Sequence, residues 1–178
     1  MTSPAVFTTD RLVARQIGPA DAAALLAVYG DPEVVRWVGD GQPLTPELCE
    51  KWVKVTRRNV ETRGYGMLAL ALRHPTDAQR EVLVGFAGLV HPGGQPEAEI
   101  KYAFARPHWG RGYATEAARG LMDYGRRVLG LREVIATAAP QNLASHRVLR
   151  KAGLADDGLR HNDDGSVTQC FAWRAGDA

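Results

Sequence analysis

Residues 98–115 read AEIKYAFARPHWGRGYAT, and this stretch decides the fold. Ile100, Tyr102 and Phe104 alternate with Glu99, Lys101 and Ala103, the two-residue period of a half-buried strand. Pro107 ends that strand, and the glycines of HWGRGYA turn the chain into a helix, TEAARGLMDYGRRVLG, that closes at Gly130. On this helix Ala117, Ala118, Leu121, Met122 and Val128 are expected to face inward. A strand that passes through a Gly-rich turn into a helix makes a cradle for an anion. The first helical turn carries about four amides without intrahelical partners and about half a positive charge. Gly110 and Gly112 lack Cβ atoms and let the main chain approach a phosphate closely, Ala114 keeps the helix mouth open, and Arg111 adds charge at the rim. Glu116 lies in the same turn, so its carboxylate must point away from any bound anion. The alternative is a tight turn whose glycines serve geometry only.

Working outward, Arg11 to Ile17 alternate as a first strand that Gly18 and Pro19 stop. Ala22, Leu25, Leu26 and Tyr29 form the stripe of a helix ending near Gly30, and a short helix runs from Pro32 to Val38. Thr45 and Pro46 cap a third helix, on which Leu48, Trp52 and Val55 are expected to share the inner face. GMLALALRH and EVLVGFAGLV, joined by PTDAQR, read as an antiparallel hairpin. Beyond the central helix, EVIATAA is a strand, Asn142 to Ala152 a helix, and weaker strands follow around Leu159 and from Val167 to Trp173. The order is βαα, βββ, αβα, ββ, a mixed α/β chain.

The composition excludes several classes. At 178 residues, without a low-complexity linker, the chain is expected to form one domain over residues 1–178. A net charge of +2 argues against nucleic-acid or membrane-surface binding, although 18 of the 22 basic residues are arginine, which suits phosphate or carboxylate recognition. No apolar run reaches the ~20 residues of a membrane span, and MTSPAVFTTDRL is unlike a secretory signal, so a cytoplasmic location is expected. Two distant cysteines and five scattered histidines offer no metal-ligand spacing, and no metal is expected. The Walker pattern is absent, and GRGYAT lacks the third glycine of the dinucleotide fingerprint.

At this point the residues resemble the GNAT superfamily of acyl-CoA-dependent N-acetyltransferases, and within it the branch of ribosomal-protein N-terminal alanine and serine acetyltransferases. TDRLVARQIGPADAAALLAVYGDPEVVRWV is similar to that branch's opening strand and paired helices, AEIKYAFARPHWGRGYATEA to its strand four and pyrophosphate loop, and NLASHRVLRKAGL to its CoA-side helix. The resemblance covers Thr9 to Trp173. It implies a mainly antiparallel sheet of about seven strands, flanked by helices, whose fourth and fifth strands run parallel and splay apart. The co-substrate would be acetyl-CoA. Its pantetheine arm would pair with main chain around Tyr102, Ala103, Phe104 and Ala105, and its pyrophosphate would sit on Gly110, Arg111, Gly112, Tyr113, Ala114 and Thr115.

Acyl transfer to an amine needs a neutral amine, a stabilised oxyanion and a proton for the departing thiolate. The resemblance implies that a strand-four amide near Tyr102 to Phe104, set by a bulge, serves the oxyanion, and that Glu99 serves as base, directly or through water. Lys101 stands where the family commonly has the glycine of EIGY, and a cation there would pair with Glu99 and oppose its taking a proton. The alternative for Glu99 is a solvated carboxylate paired with Lys101. Ser145 would be the proton donor or thiolate partner and Asn142 would orient the pantetheine or a water, alternatively capping its own helix. Lys151 and Arg150 would reach the 3′-phosphate, alternatively stabilising the end of their own helix. Neither Cys49 nor Cys170 has a base partner in the sequence, so direct attack in a ternary complex is expected. Tyr29, Trp37 and Trp52 are at most a pocket wall. The acceptor is a primary amine, on a protein or peptide N-terminus or on a small molecule such as an antibiotic, polyamine or amino acid. The other class of reading is a CoA-binding sensor without turnover. The chain is expected as a monomer or homodimer.

Overall fold

The computed structural model describes residues 4–73 and 81–176. Eight strands form one sheet: β1 (Ala5–Thr8), β2 (Leu12–Gln16), β3 (Met67–Leu72), β4 (Leu83–Val90), β5 (Ala98–Phe104), β6 (Glu133–Ala138), β7 (Ala155–His161) and β8 (Val167–Arg174). Their spatial order is β1-β2-β3-β4-β5-β6-β8-β7. Every neighbouring pair is antiparallel except β5 and β6. The helices are α1 (Ala22–Tyr29), α2 (Pro32–Val35), α3 (Pro46–Arg63), α4 (Tyr113–Arg127) and α5 (Leu143–Lys151). The mixed sheet with parallel central strands matches the expectation, with one strand more than the seven expected. The addition is β1, where AVFT is too short to show a period and takes its order from pairing with β2. The expected PTDAQR loop lies outside the described residues.

Two apolar layers cover the sheet. Leu70, Ile100, Leu121 and Phe171 belong to the layer beneath α4 and α5, while Leu25, Val35, Val53 and Phe86 belong to the layer beneath α1 to α3. Covering both faces explains why β3 and β4 are almost continuously apolar. Two inner faces differ from those expected. On α3 the buried residues are Cys49, Val53 and Thr56, whereas Leu48 and Val55 are 43% and 48% exposed. The apolar residues of α3 are spread around its circumference, and packing selects the stripe that fits against α1. Val128 is 69% exposed because α4 ends at Arg127 and the turn rotates Leu129 into the core instead.

The pairing of β5 and β6 stops after two steps, Ala98 with Val134 and Glu99 with Ile135. Beyond them the sheet splits, and α4 begins nine residues after β5 ends, at Tyr113. The split and the start of α4 are the two features that position the site.

Candidate active site

The turn before α4 is shaped by two glycines in the left-handed region, Gly110 at φ 71° and Gly112 at φ 79°. An L side chain at either would be strained, and a Cβ at Gly112 would also meet Arg11 Nη2 at 3.4 Å. The first intrahelical bond runs from Glu116 N to Gly112 O, 3.1 Å, so the amides of Tyr113, Ala114 and Thr115 precede the ladder and point out of the helix mouth. Glu116 is turned away, as expected. Its carboxylate accepts from Thr9 Oγ1 at 2.6 Å, Arg11 N at 2.8 Å and Arg11 Nε at 2.6 Å. Burial alone would raise the Glu116 carboxyl, but the Thr9 hydroxyl and the Arg11 amide and guanidinium outweigh it and hold it below its ordinary range. Arg11 Nη1 also donates to Arg111 O at 2.9 Å, and its guanidinium carbon stands 4.7 Å from the Tyr113 ring centroid. One arginine from the β1–β2 turn therefore braces both sides of the cradle.

At the split, Ala105 N donates to Val84 O on β4, 2.9 Å. Alternation along the strand then turns the main-chain groups of Phe104 and Tyr102 toward β6, and those of Ala103 and Ala105 toward β4. The expected bulge in this strand is absent: β5 pairs with β4 in unbroken register from Glu99 to Phe104. The irregularity lies one strand away, where β3 and β4 shift between Leu70 and Ala71. A regular edge already exposes wedge-facing amides wherever β6 has departed, so no bulge is needed to free them. The Phe104 carbonyl accepts from Trp109 Nε1 at 2.6 Å, which ties the Gly-rich turn to the end of the strand.

The hydroxyls of Tyr102 and Ser145 meet at 2.7 Å across the mouth of the split. Either hydroxyl can donate in this pair; with the more acidic phenol donating, the Ser145 proton is left for another acceptor. Burial pushes the Tyr102 phenol up to about 12, against the smaller opposing effect of Ser145, so it is protonated at neutral pH. Asn142 caps α5, its side chain accepting from Ser145 N at 3.2 Å, and so fixes the turn that presents Ser145. Lys151 is exposed at the far end of α5, and its carbonyl accepts from Arg119 Nε at 2.9 Å. Arg150 is engaged in a two-pronged pair with Asp156, at 2.9 and 2.8 Å.

Glu99 departs from the solvated alternative, being only 2% exposed. Its carboxylate accepts from Thr137 Oγ1 at 2.6 Å and Gln95 Nε2 at 3.2 Å and is ion-paired with Lys101. Lys101 Nζ also donates to Thr137 Oγ1 at 3.1 Å, so it spans from β5 to β6 just past their last paired residues. Sequence reasoning missed Thr137, Gln95 and Arg11. Thr137 had a local signal, a lone hydroxyl in the apolar EVIATAA, while Gln95 and Arg11 act across loops that no period marks. Tyr29 and Trp52 pack against each other with tilted rings, centroids 5.1 Å apart, and Trp37 is exposed, so no aromatic wall forms from the three together. Cys49 is buried in α3, and burial pushes its thiol up.

Residues 11–155 match the family model described as Acetyltransferase (GNAT) domain. The chain belongs to the GNAT acetyltransferase family. A relative from Bacillus subtilis (strain 168), the uncharacterized protein YkkB, is 33% identical over 157 residues, covering 86% of this chain and 87% of its own. Among solved structures, a GNAT-family acetyltransferase from Bacillus anthracis superposes with a TM-score of 0.77 at 24% identity, covering 98% of each chain. The ribosomal L7/L12 α-N-protein acetyltransferase RimL, solved in complex with coenzyme A, shares the fold with a TM-score of 0.76 at 17% identity, over 98% of this chain and 100% of that one. GNAT enzymes are acetyl-CoA-dependent N-acetyltransferases, so this chain is of the acyltransferase class. No helix among the described residues is long and apolar enough to cross a membrane.

Proposed function

We propose that the chain, as one catalytic unit, transfers the acetyl group of acetyl-CoA to a primary amine by direct attack, with a peptide N-terminus as the first acceptor to test. The observation that carries this reading is the split between β5 and β6, which opens after only two paired residues beside a helix mouth shaped by two left-handed glycines. These residues fit a diphosphate joined to an extended arm. The cradle presents amides of Tyr113, Ala114 and Thr115 with the nearby acid turned aside, and the strand edge offers alternate main-chain groups to a chain laid along it. Acetyl-CoA supplies the activated acyl group when bound.

The protein's own residues then have separable tasks. The wedge-facing amides near Tyr102 and Phe104 lie where a carbonyl oxygen gains charge. Ser145, held against the Tyr102 hydroxyl, serves as proton donor to the leaving sulfur. Glu99 is too enclosed to touch an incoming amine, so it receives the amine's proton through the Thr137 hydroxyl that already donates to it. Asn142 sets the position of Ser145.

The Lys101–Glu99 pair favours one other reading, a CoA-binding protein whose base is permanently blocked. Thiol release from acetyl-CoA, followed with a panel of N-terminal peptides, polyamines and amino acids, tests both. Release that depends on an amine supports the transferase. Tight acetyl-CoA binding with no release on any acceptor supports the blocked form.

A further inference from the structure

Lys101 offers an amine at the start of the proton path that an acceptor amine would use. Its Nζ donates to Thr137 Oγ1 at 3.1 Å, Thr137 Oγ1 donates to Glu99 Oε1 at 2.6 Å, and the same nitrogen is ion-paired with Glu99. The nitrogen reaches from β5 to β6 where the strands part, and its side chain remains 40% exposed. We propose that Lys101 is itself an acceptor: the protein acetylates Lys101 from acetyl-CoA bound in the split, using Glu99 as base through Thr137. This rests on the transferase reading above. The Nζ lone pair forms an amide bond to the acetyl carbonyl carbon as the C–S bond breaks and the sulfur leaves with its electron pair. Of the two protons that Nζ gives up, one ends on the thiol and the other passes through Thr137 and Glu99 to water. The product side chain is neutral, so the ion pair that occupies Glu99 is lost and the carboxylate is released for external amines.

The chain carries its own controls. It has four lysines, and Lys51, Lys54 and Lys151 are all more exposed than Lys101. Chemical acetylation by free thioester favours those three, whereas templated acetylation favours the least accessible one. The full chain is incubated with acetyl-CoA, acetyl occupancy at each lysine is followed by peptide mass spectrometry, and acetyl-CoA affinity is measured on the same samples by calorimetry. Lys101 is expected to lead the other three by about tenfold in rate and to approach one acetyl per chain. Glu99→Gln and the near-isosteric Thr137→Val should each slow Lys101 by about tenfold while leaving the other three lysines unchanged, with the fold checked by circular dichroism. Intact acetyl-CoA affinity with Lys101 no faster than the exposed lysines overturns the inference, as does a lead indifferent to both substitutions. Absence of acetyl-CoA binding instead overturns the transferase reading, and the inference falls with it.

Discussion

The two ends of the split are built from different materials. At the α4 end, the proposed recognition rests on main chain: amides of Tyr113 to Thr115, two glycines in left-handed geometry and one bracing arginine. At the β6 end, the proposed chemistry rests on side chains: Glu99, Lys101, Thr137, Tyr102 and Ser145, each fixed by a hydrogen bond or ion pair to another. A backbone site tolerates change of most side chains but not a change of dihedral angle. A side-chain site behaves in the opposite way, since its backbone is regular strand and helix and its specificity lies in a few polar atoms. Substitutions at the first end should therefore change affinity for acetyl-CoA, and those at the second should change turnover.

The sharpest break is Gly112→Glu, which forces an L residue into φ 79° and adds an acid at the helix mouth. Acetyl-CoA affinity measured by calorimetry should fall about 100-fold, combining backbone strain with repulsion of a phosphate. Gly130→Ala is the control, at φ 66° with open space around it: it carries the same strain remote from the cradle and should leave affinity unchanged. Tyr102→Phe comes next. Losing the hydroxyl that orients Ser145 should lower kcat about tenfold with the KM for acetyl-CoA nearly constant, and most of that effect should vanish in a Ser145→Ala background. Independent, additive losses from the two changes would separate them. Arg11→Ala should weaken acetyl-CoA binding only about fivefold, because it loosens the frame of the cradle without removing an amide.

The smallest effect is one of pH. The Glu116 carboxyl is held below its ordinary value of 4.5, so it remains charged, and the Arg11 brace intact, on both sides of neutrality. Because the folded value is the lowered one, the brace is fully present above 4.5 and is lost only as acid carries the carboxyl through its depressed value. Acetyl-CoA affinity, followed by titration at falling pH with circular dichroism to monitor the fold, should stay flat down to the ordinary carboxylate value of 4.5 and weaken only below it.

Much of the first end was legible in the sequence, and less of the second. HWGRGYA announces its geometry because glycine in a strand-to-helix turn has few other uses, and Asn142 and Ser145 announce a cap by their spacing. The quartet around Glu99 was half visible. The pair with Lys101 follows from two residues on one strand face, but burial does not, since it depends on Gln95 folding back from a loop and on Thr137 arriving from β6. The inner face of α3 was misread for a related reason: Leu48, Trp52 and Val55 make a plausible stripe, yet the surface of α1 chose Cys49 and Val53. Short β1 and the regular register of β5 were settled by partners distant in sequence, which no local period encodes.

Arg11 touches a carbonyl exactly one hundred residues further on, at Arg111, and the carboxylate of Glu116 besides. On the proposed reading, trimming the first strand through Arg11 would spare the Glu99 and Ser145 clusters yet slacken the grip on the nucleotide end of the donor. Affinity for coenzyme A thus doubles as a gauge of whether the amino terminus is whole, readable from a simple titration before any turnover is measured.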